Sequence, residues 1–270
     1  MSDDVHRMLP LYEAKMIHHF DHRWATYEPD GTIRDVTLAE KQDPDFAAMP
    51  RYWVREEVVR DRLADRWNHD WLLGWRDICR STDERTVIAS SFPHSAVGNN
   101  LPIAVASPDC GSSAHCLGAC LTSFVLDYLA RPKVGGTHLN FFVSEQLPVL
   151  PPDAFEAPCP WEPARNLSDW IRDRVLELTY TSQNMAPYAR ALGHDGPPFK
   201  WDSDRRALVR AELDACFFHL YGLTRDEVDY IMDTFPIVRR KDEAASGDYR
   251  TKRLVLDSYD TLAADTAQLS

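Results

Sequence analysis

Residues 70–93 read DWLLGWRDICRSTDERTVIASSFP, two aromatic and β-branched runs separated by the polar residues Ser81 to Glu84. Branched and aromatic side chains suit a pleated surface, so the stretch predicts two strands of a sheet joined by a short loop. Working outward, Arg51 to Val54 predicts another short strand, and Glu56 to Trp67 sets Val58, Val59, Leu63 and Trp67 at helical spacing. Leu101 to Ala106 predicts one more strand. Toward the N-terminus, LPLYEAKMIHHFDHRWATY (residues 9–27) has no clean period and runs into Glu28-Pro29-Asp30-Gly31, a turn sequence.

Downstream, Ala114 to Ala130 places Leu117, Cys120, Leu121, Phe124, Val125, Leu126 and Leu129 around a mostly buried helix that Pro132 and Gly135-Gly136 end. Residues 147–163 then hold Pro148, Pro151, Pro152, Pro158, Pro160 and Pro163, a composition that favours an extended connector over any regular element. The remainder is helical in pattern over 167–178, 204–221 and 224–233, with a Gly-Pro-rich loop at 193–199 and a capping box of Thr224 with Glu227. The expectation is an α+β fold: a mixed-sheet domain over residues 1–155, followed by a helical domain over 156–270.

The 270 residues are 44% hydrophobic, enough for a sizeable core, and the net charge is −12. So acidic a chain is not a generally sticky nucleic-acid binder, and any DNA face has to be a local patch. Cysteines at 79, 110, 116, 120, 159 and 216 follow no disulfide framework and predict reduced thiols. There is no leader-like segment and no apolar run near the roughly 18 residues of a membrane span, so a soluble, cytoplasmic protein is expected.

The segment LTSFVLDYLARPKVGGTHLNFFVSEQLPVLPP (121–152) resembles the end of the target-recognition domain of type IIG restriction-modification enzymes and of the adenine-specific methyltransferases of the BREX and DISARM phage-defence systems. More distantly it is similar to type I specificity subunits. Residues 9–27, 84–93, 177–201 and 210–243 extend the resemblance over most of the chain. It implies a DNA target-recognition portion, with double-stranded DNA as partner and a separate methyltransferase or defence subunit as a further one. It also implies that the catalytic core, and with it S-adenosylmethionine, belongs to another domain or chain. The residues agree: neither a Gly-rich turn after a strand nor an Asn/Asp-Pro-Pro-Tyr/Phe loop for a flipped base occurs. Pro151-Pro152 and Pro197-Pro198 follow Leu150 and Gly196, which carry no amide or carboxylate, so no catalytic residue is expected. The other reading is a protein-interaction subunit or remnant that docks on such a methyltransferase.

The leading DNA-contact candidates are Arg131, Lys133, Gly135, Gly136, Thr137, His138 and Asn140. They combine two cations, two glycines that let a phosphate approach the backbone, and polar side chains for base edges. The same glycines would equally serve a helix C-cap at positive φ. A second set, Arg239, Arg240, Lys241, Arg250, Lys252 and Arg253, is the densest positive region, but Asp242, Glu243 and Asp248 are interleaved and could neutralise it. Cys110, His115, Cys116 and Cys120 crowd together without zinc spacing, and core packing accounts for them better. The same holds for His18, His19 and His22 beside Asp21. Glu13-x-Lys15 with Asp3 or Asp4 superficially fits a metal-dependent nuclease, a match of a size that chance supplies often. The eight tryptophans are expected mostly in the core.

Overall fold

The computed structural model describes residues 6–105 and 113–269. The fold is α+β, with mixed and antiparallel sheets and more helix than strand. Its chain divides into two compact units, one of residues 6–78, 88–105, 113–114 and 179–200, the other of 79–87, 115–178 and 201–269. The proline-rich run 147–163 therefore lies wholly inside the second unit, and the compact units are drawn differently from a cut at residue 155.

The first unit holds the sheets. Trp71–Trp75 and Ala89–Pro93 pair antiparallel, Trp71 opposite Pro93 and Trp75 opposite Ala89, and Ile103–Ala104 adds to the other side of Trp71–Trp75. Both long strands are thus as the sequence predicts, but their connection is not the short loop expected, because residues 79–87 belong to the second unit. Gly74 is obligatory: a Cβ there would stand 2.6 Å from the Pro102 carbonyl oxygen. A mixed sheet is built on Met8–Tyr12, with Trp53–Arg55 antiparallel on one side and Ala96–Val97 parallel on the other. The turn at 28–31 closes a hairpin of Ala25–Tyr27 with Ile33–Asp35, Gly31 supplying φ 82° and donating its N–H to Glu28 O.

The aperiodic stretch before that turn is a buried polar lattice. The Arg23 side chain is fully buried, and its guanidinium donates to the carbonyls of Glu40, Lys41, Asp43, Phe46 and Thr181 at 2.8–3.3 Å. Asp21 accepts the Arg23 N–H at 2.9 Å and pairs with the nearly buried Lys41. His22 Nε2 lies 2.8 Å from Ser182 Oγ, and His18 packs on His19 and Trp24. The histidine crowd lies among these buried contacts.

The second unit is helical. Ser203–Leu220 and Arg250–Leu269 form its central pair, joined by Leu167–Thr179, Arg225–Asp233 and Pro236–Ser246. The last of these helices and Arg250–Leu269 lie where the sequence reading predicted only a basic cluster. The capping box of Thr224 and Glu227 is present. Two expectations are corrected. The helix expected over 114–130 is two, Ala114–Thr122 and Phe124–Ala130, broken where the Ser123 hydroxyl accepts the Leu126 N–H as an N-cap. The proline run is not featureless: it contains a 3₁₀ turn, Pro152–Phe155, and a two-stranded pairing of Pro158–Cys159 with Glu162–Asn166.

Cys79, Cys116, Cys120, Cys159 and Cys216 are free and buried. Cys116 Sγ lies 3.3 Å from His115 Nε2 and 3.6 Å from Ser168 Oγ, and burial pushes its thiol up to about 12. A thiol held neutral in this way is packing material, in line with the core reading; Cys110 lies outside the described residues. Trp67, Trp71, Trp75, Trp161, Trp170 and Trp201 are buried, whereas Trp53 is half exposed. No helix among the described residues is long and apolar enough to cross a membrane.

Candidate nucleic-acid interface

All thirteen sequence-nominated residues fall in the second unit, but they play different parts. Asp127 is completely buried and collects Arg85 Nε at 2.8 Å, Arg131 Nε at 3.3 Å and the N–H groups of Thr86 and Val87 at 3.0 and 3.3 Å. Arg85 also donates to Thr122 O at 2.6 Å, and Arg131 to Thr234 O, Asp83 O and Glu84 O at 2.9–3.2 Å. The two guanidinium planes lie over Phe124 and Phe235, at 4.0 and 3.9 Å from the ring centres. Arg131 is therefore scaffold, with its Nε, Nη1 and Nη2 all committed, and the expectation that it grips phosphate is corrected accordingly.

From this scaffold a loop projects. It follows the 3₁₀ turn Arg131–Lys133, and buried Val134 and Leu139 pin its two ends. Between them Gly135, Gly136, Thr137 and His138 are exposed, and Lys133 is exposed just before. The Thr137 carbonyl accepts the Cys79 N–H at 3.1 Å, which fixes the loop's middle. Neither glycine has positive φ, and a Cβ on either would meet open space, so the helix-cap explanation for the pair does not hold. Asn140 caps the single-turn helix Phe141–Ser144 through its Oδ1, 3.1 Å from the Val143 N–H. On that turn Phe141 is 55% and Phe142 76% exposed. Sequence reasoning passed over these two rings; adjacent aromatics on one helical turn cannot share one buried face, and that was the available signal.

The C-terminal cations are mostly spent. Arg239 pairs with Glu243 and Lys241 with Glu84, while Arg250 pairs with Asp204, Lys252 with Asp229 and Asp233, and Arg253 with Asp248. The neutralised-face alternative describes this region. Of the nominated cations, Lys133 and Arg240 have no carboxylate within ion-pair distance among the described residues, which leaves these two of the set for a phosphate to take without competition.

Arg250 also lines a cavity of about 220 Å³ with Phe124, Arg210, Asp214 and Asp242. Asp214 accepts the Phe124 N–H at 2.8 Å, and burial pushes its carboxyl up to about 6 against the pull of Arg85. Unfolded aspartates titrate near 3.9, so the folded chain holds this proton more tightly. Stability from this group is therefore greatest below about pH 4 and declines as pH rises toward 6. Asp214→Asn is expected to lack the decline, gaining on the order of 2 kcal/mol over the parent between pH 4 and 7. Urea unfolding at both pH values measures it, and parallel behaviour of variant and parent would show that Asp214 does not titrate in that window.

No family model, curated protein or solved structure matches this chain. The site therefore stands on its geometry. Its exposed elements, a mobile-ended Lys133 ammonium, two unobstructed glycines, short polar side chains and two solvent-facing rings, are the groups that can meet phosphates, base edges and base faces. Glu13 of the nuclease-like pattern accepts a hydrogen bond from Tyr27 and lies 3.9 Å from Lys15; Asp3 and Asp4 lie outside the described residues. Among the described residues no three His, Cys, Asp or Glu side chains converge as a metal cage.

Proposed function

We propose that this chain is the DNA target-recognition portion of an adenine-specific DNA methyltransferase of a restriction-modification or phage-defence system. It acts in the cytoplasm, reads double-stranded DNA, and leaves the methyl donor and its pocket to another domain or chain. The observation that carries the reading is the exposed 133–142 loop, anchored at both ends and offering an unpaired cation, open glycines and polar and aromatic side chains together. Phosphate contacts from Lys133 and Arg240 would set register, and Thr137 and His138 would meet base edges.

The test is fluorescence anisotropy of mixed-sequence duplex at about 50 and 200 mM salt, where counterion release makes affinity fall with salt. Lys133→Ala and Arg240→Ala should each weaken binding several-fold and flatten the log–log salt slope by about 0.9. Arg131→Ala is a poor probe, because it would damage the scaffold. Absence of binding at the lower salt overturns the proposal for this chain.

A second reading, a protein-interaction subunit docking on a separate methyltransferase, is favoured by the net charge of −12 and by the pairing of Arg239, Lys241, Arg250, Lys252 and Arg253 with carboxylates. Under it the duplex stays unbound and both alanine variants are silent.

A further inference from the structure

The first unit contains a cleft of about 600 Å³, lined by Leu11, Glu13, Lys15, Tyr52, Arg76, Ile78 and the turn Gly98-Asn99-Asn100. Its floor is rigid. Gly98 N–H donates to Tyr12 O at 2.9 Å, Leu101 N–H to Gly98 O at 3.0 Å, and Asp77 N–H to Asn100 O at 3.0 Å. These backbone bonds hold the 98–101 turn in place while both asparagine side chains stay exposed, and among the described residues neither amide has a hydrogen-bond partner.

On the cleft's wall Arg76 donates from Nε and Nη2 to the single carbonyl of Ile17, at 3.0 and 2.5 Å. Among the described residues no carboxylate comes within 4 Å of it. Burial lowers the proton affinity of this guanidinium, and the more distant Asp35 carboxylate offsets only part of that cost. Most arginines of this chain have a different setting: Arg85 and Arg131 share Asp127, and Arg174 and Arg205 have Glu212 and Glu177. Lys15 also lines the cleft, half exposed and 3.9 Å from Glu13, which accepts a hydrogen bond from Tyr27. The cleft thus offers a guanidinium and an ammonium, with Glu13 and the more distant Asp35 as the carboxylates acting on them. Its apolar faces are Leu11, Ile78 and the Tyr52 ring, the last two more than half exposed.

We propose that this cleft binds a nucleotide: a phosphate against Arg76 and Lys15, a base lying on Tyr52 and Ile78, and the base edge met by the Asn99 and Asn100 amides. The amide is the side chain that can donate and accept at one base edge, two asparagines can do so from adjacent positions, and an aromatic ring offers the face. The volume suits one nucleotide and excludes a duplex. The ligand is either a free nucleotide or one unit of a strand, and the chemistry is shared. Because every residue used lies in the first unit, the inference stands apart from the duplex reading of the 133–142 loop.

The experiment is saturation-transfer NMR with titration of the whole chain by each deoxynucleoside 5′-monophosphate, by the corresponding nucleosides, by inorganic phosphate, and by a short single-stranded oligonucleotide. A monophosphate should bind about tenfold more tightly than its nucleoside. The double variant Asn99→Ala/Asn100→Ala, whose side chains hold no part of the fold, should weaken monophosphate binding by about tenfold, and Lys15→Ala by several-fold. Binding by the oligonucleotide alone, with the same variant losses, makes the ligand a unit of a strand. Equal binding of inorganic phosphate and monophosphate, indifference to the asparagine variant, or no binding by any probe overturns the proposal. Loss of duplex binding with monophosphate binding intact would overturn only the loop reading.

Discussion

Asp127→Ala is expected to lower the stability of the second unit by about 3–5 kcal/mol, enough to unfold a marginal domain at ordinary temperature. The carboxylate is the common acceptor for Arg85, Arg131 and the Thr86 and Val87 amides, and it is shut off from water. Its removal leaves two guanidiniums facing each other across a hydrophobic setting of Phe124 and Phe235 with nothing between them. Asp127→Asn keeps an acceptor for the amides but not the charge, so it should fall between parent and alanine variant. Urea denaturation followed by tryptophan fluorescence reads the series. A loss under about 1 kcal/mol for Asp127→Ala would mean that the two arginines are hydrated once freed, and the scaffold role would be refuted.

Arg23→Ala should cost a comparable amount, about 3–5 kcal/mol, in the first unit. Five backbone carbonyls from 40–46 and 181 converge on one guanidinium, and without it the buried carbonyls of Lys41 and Thr181 lose the donor it supplies while those of Glu40, Asp43 and Phe46 lose a partly buried one. Arg23→Lys should not rescue, because a single ammonium cannot reach acceptors arranged around a planar fork. Amide exchange supplies the local reading: protection at Lys41, Asp43 and Gln183 should drop before that of the Trp71–Trp75 strand. Retained protection there would rule out the organising role.

What the sequence made legible follows from local physics. The paired strands around 71–93, the turn at 28–31 and the capping box at Thr224 announce themselves through side-chain shape, glycine and hydroxyl chemistry within a few residues. Ser123 was legible in principle too, but seven apolar neighbours outweighed one capping hydroxyl. The buried partners were mostly not legible: Asp127 and Arg131 stand at an i,i+4 spacing that a helix reading could have paired, but Arg85 reaches Asp127 across 42 residues and Arg23 reaches Thr181 across 158, which no periodicity encodes. The candidate site suffered most from this. Charge density picked out Arg131 and the C-terminal cluster, whereas availability, which depends on who else is near, left Lys133 and Arg240, and exposure added Phe141 and Phe142.

The discontinuous make-up of the two units sets a timetable for the newborn chain. The ribosome finishes residue 105 with most of the sheet residues delivered, yet Thr181, which closes the Arg23 cluster, and Tyr188, whose ring meets Trp71 edge-on, arrive only after residue 178. At roughly 5–20 residues per second this is a wait of roughly 4–15 s. Throughout it, the apolar flanks of three short strand groups stand open to other nascent chains. Severing the polypeptide at the proline run would make that interval permanent, and the two pieces would regain structure only by finding each other.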